Sequence, residues 1–292
     1  MKHETLSTRQ TTSGNHSSSS TATWQLATRG RSPSALYEEL IEGIPSTIRV
    51  EEAIKGSSHS LVIAEDGIGT VMHLGQGTLP AMLPDPDRLA GRLLKDVAAG
   101  VLSWNLEDAA LGGAALNAYY NAPSVLEHNF GSPLPDFDPF LQYAPRARGK
   151  KVAGIGHFGA LDRYIAPEAR AVYIIEQQPR QGDYPREAAE FLLPEMDLVF
   201  ITGSALANKS LPRLLELAQG AFIVLVGPST CLAPVLFSYG VSALCGTLYT
   251  DKDSCRSIVL EGSHKKMIQH GKKVALTGCR KSCTEAHSRR FS

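Results

Sequence analysis

Four short apolar runs in the second half of the chain constrain the fold more than any other feature of the sequence. They are KVAGIG (151–156), AVYIIE (171–176), MDLVFITG (196–203) and AFIVLVGP (221–228), and a weaker run, ALCGTLY, follows them. Continuous apolar strands rich in valine and isoleucine are typical of a parallel sheet covered on both faces. Helical segments lie between the later runs. The pattern therefore predicts a doubly wound, Rossmann-like domain over residues 150–262.

The part of the chain before these runs has a different pattern. SPSALYEELIEGI predicts a helix that begins near Ser34, and STIRVEEAIKG predicts a strand. HSLVIAEDGIGTVMHLG predicts a β-hairpin, because AEDG is a turn signal between two apolar segments. PDRLAGRLLKDVAAGVL and NLEDAALGGAALNAYYNA read as helices. We therefore expect a small α+β domain at residues 34–130, and an α/β fold class for the whole chain.

Three segments lack these patterns. GSPLPDFDPFLQYAPRARG (131–149) contains four prolines, so we interpret it as a linker without regular structure. Residues 1–33 are rich in serine and threonine and read as a disordered tail, although a transit peptide stays open as an alternative. Residues 263–292 are basic and poorly patterned, and we interpret most of this segment as a frayed extension.

Composition excludes several classes of function. The chain has 29 basic and 29 acidic residues among 292, and this neutral balance argues against general nucleic-acid binding. No apolar run approaches the length of a membrane span, so no membrane partner is expected. The five cysteines are odd in number and confined to the second half, which favours reduced thiols over a disulfide framework. We expect a cytoplasmic protein.

The predicted parallel sheet converts these strand assignments into candidate site residues. Ligands bind beyond the carboxyl ends of the strands in such sheets. The residues that follow the four strands are unusually small and polar for so apolar a sheet, so we expect them to line one cleft. They are Gly154, Gly156, His157 and Gly159 after the first strand, Glu176 after the second, Gly203, Ser204 and Asn208 after the third, and Pro228, Ser229 and Thr230 after the fourth.

The stretch GIGHFG has the spacing G-x-G-x-x-G of a dinucleotide-binding loop. Glu176 lies about twenty residues further on, where a ribose-binding acid belongs, so NAD or a related nucleotide is one interpretation. Pro167 follows Gly159 closely and keeps any following helix short, and a dinucleotide normally uses two such half-domains. A tight strand-to-helix turn without a ligand is an equal alternative.

A third interpretation makes His157 and Glu176 ligands of a divalent transition metal. Imidazole and carboxylate are ordinary ligands for such ions, and both residues would lie at neighbouring strand ends. Two ligands are too few for a closed site. Further ligands would have to come from the other domain, from water or from a bound chelator.

The loops TGSALAN and GPSTCLAP place small polar residues at predicted helix starts. Free backbone N–H groups and the helix dipole favour an anion there. Ser204 and Asn208 can instead serve as helix caps. Cys231 at such a terminus would have a lowered thiol pKa, but burial as a small apolar residue is the simpler interpretation.

Several of these segments together resemble the "putative heavy-metal chelation" proteins, a family of unknown function. The resemblance rests on VAGIGHFG, YIIEQQP with GDYP, EFLLPEMDLVFITGSALANKSLPRLLELA and VLVGPSTCLAPVLFSYGVSALCG, and covers residues 34–250. It implies an enolase N-terminal-like domain joined to a Rossmann-like domain, with a cleft between them. It also implies metal handling, with Asn117 of the helix containing ALNA facing the second-domain residues across that cleft.

Three functional hypotheses follow. The first is a protein that binds a metal, a metal chelate or a small anionic ligand in the interdomain cleft through His157 and Glu176. The second is an enzyme acting on a nucleotide-like or amino-acid-derived metabolite, with His157 as acid or base. The third is a scaffold whose cleft binds nothing. The sequence leaves the oligomeric state open, with a homodimer among the alternatives.

Overall fold

The computed structural model describes residues 32–131 and 134–278, which form two β-sheets and the helices around them. The predicted tail at residues 1–33 lies outside this part of the chain except for its last two residues. The chain from 279 onward lies outside it as well.

An antiparallel sheet and a hairpin organise the first half, as the sequence predicted. Helix α1 (Ala35–Glu42) precedes strands β1 (Glu52–Lys55), β2 (His59–Ala64) and β3 (Gly67–Met72), which pair in the order β1-β2-β3. Ala64 lies opposite Gly67, so the hairpin turns over two residues.

Three helices follow this sheet: α2 (Leu94–Ala98), α3 (Leu106–Tyr120) and α4 (Pro123–Phe130). Asn105 caps α3 by accepting hydrogen bonds from the backbone N–H groups of Glu107 and Asp108.

The helix predicted across residues 86–102 was wrong in its length. The chain forms 3-10 turns at Pro86–Arg88 and Ala99–Leu102, with the short helix α2 between them. Leu93 is extended instead and forms an antiparallel bridge with Arg49, because the Val50 N–H donates to the carbonyl of Arg92 and the Leu94 N–H donates to the carbonyl of Ile48. This pairing with the chain before β1 removes the backbone groups that a continuous helix would need.

The second half contains a seven-stranded sheet that is parallel except for its last strand. The order is β10-β9-β8-β7-β4-β5-β6, and only β10 runs antiparallel to its neighbour. The chain thus builds outward from β4 in one direction and then, from β7, in the other, as doubly wound sheets do. The strands are β4 (Lys151–Ile155), β5 (Ala171–Glu176), β6 (Tyr184–Pro185), β7 (Leu198–Thr202), β8 (Phe222–Val226), β9 (Ala243–Leu248) and β10 (Lys272–Thr277).

Short helices and turns connect these strands. They are α5 (Pro139–Ala147), a π-helical turn at Leu161–Ile165, 3-10 turns at Arg186–Ala188, Leu193–Glu195 and Pro234–Tyr239, α6 (Ala189–Leu192), α7 (Ser204–Ala207), α8 (Leu211–Leu217), α9 (Lys252–Glu261) and α10 (His264–His270).

Helix α5 corrects the prediction that residues 131–149 lack regular structure. Pro139 occupies the first helical position, where its missing N–H is no loss. The Asp138 carboxylate accepts hydrogen bonds from the N–H groups of Phe140 and Leu141 at 3.1 and 3.3 Å and so caps the helix. Pro139 was thus part of a signal for the start of a helix.

The beginning of the predicted C-terminal tail is also ordered. Residues 264–270 form α10, and residues 272–277 form the edge strand β10. Val274 and Leu276 are buried while Lys272 is exposed, so this short strand has the alternation of a half-covered edge. The two lysines at the start of this strand made the segment read as a charged tail in the sequence. Charged residues are common on the edge strands of sheets.

The two halves share one hydrophobic core. Leu36 and Leu116 of the first half belong to the same cluster of buried side chains as Ile201 and Leu225 of the parallel sheet. Helix α9 returns to the first half, where Arg256 forms an ion pair with Glu52 of β1 at 2.6 Å. The described residues from Ser32 onward accordingly form one compact unit.

No helix within the described residues combines the length and the apolar character needed to cross a bilayer.

The contact between α3 and β3 leads to a first prediction. A methyl group on Gly69 would overlap the carbonyl oxygen of Ala114 and the amide nitrogen of Ala118 in α3. We expect Gly69→Ala to lower the free energy of unfolding by about 3 kcal/mol, because backbone on both sides must move. Gly220→Ala is the matched control, since nothing lies within 4 Å of the added methyl. Urea unfolding checks both, and an equal effect of the two substitutions would contradict the prediction.

A buried histidine leads to a second prediction. His59 is fully buried, and its ring stacks on that of His264 with 5.0 Å between centroids. Burial, with a smaller contribution from His264, lowers the pKa of His59 to about 4. In the unfolded chain His59 is protonated below its ordinary pKa near 6.5, whereas in the folded protein it stays neutral down to about pH 4. Stability should fall by about 3 kcal/mol as the pH decreases across that interval.

We expect His59→Asn to flatten this part of the curve of unfolding free energy against pH, whatever its effect at neutral pH. His128 is exposed, so His128→Asn should leave the slope unchanged. Urea titrations between pH 4 and 7 provide the measurement. A slope that His59→Asn does not alter would assign the acid sensitivity to other groups.

Candidate functional site

The candidate site lies where the strand order of the parallel sheet reverses. Strand β4 pairs with β5 on one side and with β7 on the other. The chain therefore continues from β4 toward one end of the sheet and from β7 toward the other end. This point is the usual ligand crevice of doubly wound sheets. Gly156 begins the first loop with φ +107°, a conformation that favours glycine. A methyl group there would lie 3.4 Å from the Thr202 side chain, so the two loops are close neighbours.

His157 forms the central interaction of the site. Its Nδ1 lies 3.2 and 3.1 Å from the two carboxylate oxygens of Asp183. The Asp183 side chain is 4% exposed and the His157 side chain 26% exposed, so the imidazole is the solvent-accessible member of the pair. Asp183 directly precedes β6, at the same edge of the sheet.

The surroundings of Asp183 keep it ionised. The N–H of Arg180 donates to Oδ2 at 3.0 Å, and this hydrogen bond is the main cause that lowers the pKa of Asp183. The hydrogen bond and charge of His157 lower this pKa further. A carboxylate in this position accepts the Nδ1 proton of a neutral imidazole, which leaves the Nε2 lone pair free for a metal or a proton.

Glu176 does not join this pair within the described residues. Its Oε2 accepts a hydrogen bond from the N–H of Gln177 at 2.8 Å, and no hydrogen bond links it to His157. The partner of His157 is thus Asp183, which we had not singled out in the sequence.

The loop after β7 contains hydroxyl groups and a cap. Thr202 Oγ1 and Ser204 Oγ lie 2.9 Å apart. Asn208 Oδ1 accepts hydrogen bonds from the N–H and the hydroxyl of Ser210 at 3.0 and 2.7 Å, which is a local turn interaction. Gly203 allows close approach to the loop after β8, because a methyl group there would overlap the backbone of Ser229 and Thr230.

The loop after β8 is held by the first half of the chain. The Met72 N–H donates to Ser229 Oγ at 2.9 Å, and Thr70 Oγ1 donates to the carbonyl of Pro228 at 3.4 Å. Ser229 is 5% exposed and Thr230 is fully buried. The Ser229 hydroxyl thus serves a contact within the protein, whereas Thr230 Oγ1 has no hydrogen-bond partner among the described residues, and the predicted ligand roles of both stay predictions.

Two asparagines lie one turn apart at the end of α3, and the second of them contacts this loop. Asn117, which is 1% exposed, donates to the carbonyl of Thr70 at 2.9 Å, and its Oδ1 has no protein partner among the described residues. Asn121 donates to the carbonyl of Thr230 at 3.0 Å and accepts from the N–H of Leu232 at 2.9 Å. Sequence reasoning missed Asn121. Its position one turn after Asn117 on the same helix was the available signal.

Cys231 is buried rather than activated. It is 1% exposed, and burial raises the pKa of its thiol to about 12. The simpler interpretation of this residue is therefore correct. Cys231, Cys245 and Cys255 are all free thiols, as the cysteine count predicted for this part of the chain.

The donor set does not fit a resident metal ion. No group of three or more histidine, cysteine, aspartate or glutamate side chains in residues 32–131 and 134–278 is arranged to hold one. The Asp183 side chain is 4% exposed and the His157 side chain 26% exposed, so the imidazole is the member of this pair that can reach a bound ion. Structural and catalytic metal sites use three or four protein ligands.

The glycines of GIGHFG do not play the three roles of a dinucleotide fingerprint. Gly154 lies inside β4, and a methyl group there would overlap the Leu161 side chain. Gly159 has open space around it, so it is not needed for the close helix packing that the third glycine of the fingerprint provides. Gly156 alone has the left-handed backbone of a glycine turn.

Comparisons with known proteins agree with this architecture. A family profile described as "Putative heavy-metal chelation" (DUF364) matches residues 138–277, and a second profile with the same description (DUF4213) matches residues 37–120. An uncharacterised protein of Methanocaldococcus jannaschii is 29% identical over 178 residues, which are 56% of this chain and 66% of that protein. The match thus spans slightly less than two thirds of that relative.

Two crystal structures resemble the fold. One is a protein of unknown function from the DUF364 family of Desulfitobacterium hafniense DCB-2, with a TM-score of 0.76 and 37% identity, covering 84% of this chain and 98% of that one. The other, of the same family in Pyrococcus horikoshii, has a TM-score of 0.68 and 20% identity, covering 84% and 99%. The second likeness shows the fold alone. On the matched profiles and the first structure, the chain belongs to the DUF364 family, described as "Putative heavy-metal chelation".

Proposed function

We propose that the protein binds a small anionic metal chelate at the carboxyl edge of its parallel sheet, with His157 Nε2 entering an open coordination position of the metal. The observation that carries the proposal is the His157–Asp183 pair, in which a buried carboxylate orients a more exposed imidazole. Metal-ligating histidines commonly donate their other ring nitrogen to such a carboxylate. The family description points in the same direction.

The metal is cargo in this proposal rather than a resident cofactor. One imidazole is too small a donor set to extract and hold a bare ion. It is sufficient to complete the coordination of an ion that arrives with its own ligands. The backbone turn at Gly156 and the hydroxyl of Thr202 then supply polar contacts to the anionic chelator, while the buried Ser204 hydroxyl holds Thr202 in place.

A second candidate function uses the same pair for acid–base chemistry. A histidine oriented by a carboxylate is a standard general base, and the Thr202 and Ser204 hydroxyls lie on the neighbouring loop. The substrate would be a nucleotide-like or amino-acid-derived metabolite. Binding or turnover without metal favours this function over chelate binding.

Titration calorimetry with nickel citrate as the probe tests the chelate proposal. We expect one chelate per chain in the wild type and at least a tenfold loss of affinity in His157→Ala. Asp183→Asn should weaken binding by about 10- to 100-fold, because it removes the group that orients the imidazole. Glu176→Gln makes the same amide substitution at the neighbouring strand end, and its effect decides whether Glu176 contributes.

Nickel chloride and metal-free citrate are the reference titrations. We expect free nickel to bind more weakly at His157 than the chelate does, since the anionic chelator adds contacts of its own. Equal chelate affinity in the wild type and His157→Ala would contradict the proposal. Tight binding of metal-free citrate that His157→Ala abolishes would instead favour an anion site.

A further inference from the structure

Helix α10 is attached to the first sheet by a pair of stacked histidine rings. His59 is the first residue of β2, and its side chain shares a face with Leu61 and Ile63, because alternate residues of a strand point the same way. The His264 ring, at the start of α10, lies over it with 5.0 Å between centroids and 11° between the ring planes. His264 is exposed, whereas His59 is fully buried. Solvent protons therefore reach one ring of the pair directly and the other only if the pair separates.

The buried ring has no group that would stabilise its protonated form. Its Nδ1 lies 3.0 Å from Ser58 Oγ, and its Nε2 has no hydrogen-bond partner among the described residues. Both nitrogens of a protonated imidazole are donors, so each needs an acceptor. Protonation of His59 in place would thus leave a buried donor unsatisfied and put a cation into an apolar cluster.

The neighbouring elements β1, α9 and β9 offer His59 no compensating negative charge. Glu52 of β1 forms an ion pair with Arg256 of α9 at 2.6 Å, so these two charges offset each other. Cys255 of α9 and Tyr249 of β9 belong to the buried cluster on this face of the sheet. Burial raises the pKa of both side chains, and both are therefore neutral.

The elements β3 and α10 complete the surroundings of His59. Met72 of β3 lies opposite His59 and is uncharged, and the next residue, His73, is exposed. The facing group of α10 is His264, whose positive charge opposes a second one on the stacked ring. Burial and, to a smaller extent, this charge lower the pKa of His59 to about 4.

A small set of further contacts holds α10 in place. Met267 is fully buried, and its carbonyl accepts a hydrogen bond from the Tyr249 hydroxyl at 2.9 Å. The His270 ring stacks on that of Tyr249 with 6.4 Å between centroids. Lys266 pairs with Glu261 of α9, and because both side chains are exposed this ion pair contributes little. A segment with so few buried contacts opens at a lower free energy than the whole fold.

We propose that the stacked pair of His59 and His264 is an acid-sensitive switch, which releases α10 from the first sheet while both sheets stay folded. In the released form the imidazolium of His59 reaches water and the two positive charges move apart. The docked form is fully favoured above the ordinary histidine pKa near 6.5, and it loses this advantage as the pH falls toward 4. Release also uncovers the apolar cluster around Met267.

Hydrogen–deuterium exchange of the full-length protein tests the proposal. Amide protection factors of α10 and α3 are measured at pH 7 and pH 5, after division by the intrinsic exchange rates. Protonation of His59 in the released form alone should lower the protection of α10 about twentyfold between these two pH values. We also expect α10 to be less protected than α3 at both. Unchanged protection of α10 would overturn the proposal, and so would protection equal to that of α3, which would show that only global unfolding exposes α10.

Three variants assign the response to the stacked pair. His59→Asn should abolish most of the twentyfold fall, and His270→Asn, the same substitution on α10 itself, should leave it intact. The ratio between the two pH values is compared, so a pH-independent weakening of docking does not affect the result. His264→Phe keeps a flat ring over His59 without a second charge and should make the fall smaller. A full fall in His59→Asn, its loss in His270→Asn, or an unchanged fall in His264→Phe would each overturn the assignment to this pair.

Discussion

The contact between helix α3 and the loop after β8 is the constraint on which the candidate site depends. The backbone of α3 lies against Gly69 of β3 without an intervening side chain. At its end, Asn121 holds both the carbonyl of Thr230 and the N–H of Leu232. A buried amide that satisfies two backbone groups is costly to remove, because each group would then be left without a partner. The first half of the chain therefore fixes the loops at the edge of the parallel sheet.

This arrangement separates two kinds of polar residue at the same sheet edge. Ser229, Thr230 and Asn117 are buried, and Ser229 and Asn117 each hydrogen-bond to the backbone of β3. His157 keeps part of its ring accessible and is oriented by Asp183 from the opposite side of β4. The first group is enclosed by the protein, and the second leaves one ring nitrogen for chemistry. A site of this design orients a single imidazole accurately and offers few other ligands, which is why we regard the metal as cargo.

Much of the fold could be predicted from the sequence, because its signals are local. The apolar runs, the AEDG turn and the cap at Asn105 specify strands, a hairpin and a helix start within a few residues of each other. The errors arose where distant segments decide the outcome. Leu93 is extended because it pairs with Arg49, and β10 forms because it pairs with the free edge of β9. Neither partner is visible in a short window of sequence.

The candidate site was predictable in location but not in composition. The carboxyl-edge rule placed His157 correctly at the switch point. It also suggested Glu176 as a second metal ligand, because Glu176 ends the neighbouring strand, and that role stays a prediction. The carboxylate that contacts His157 is Asp183, which a loop returns to the edge just before β6. GDYP contains glycine, aspartate and proline, which read as ordinary turn residues, so the pattern gave no reason to prefer this carboxylate.

The position of helix α9 has a consequence for how the protein emerges from the ribosome. The first sheet is complete in sequence by residue 72, yet every residue of β2 is buried, with α3 and α9 both in contact with it. Helix α9 is made of residues 252–261, so the first sheet keeps an uncovered apolar face until most of the chain has been synthesised. Sheets whose packing depends on segments far away in the sequence fold slowly, and their apolar surface is exposed until those segments dock. The nascent chain is therefore more vulnerable to aggregation than the compact native structure.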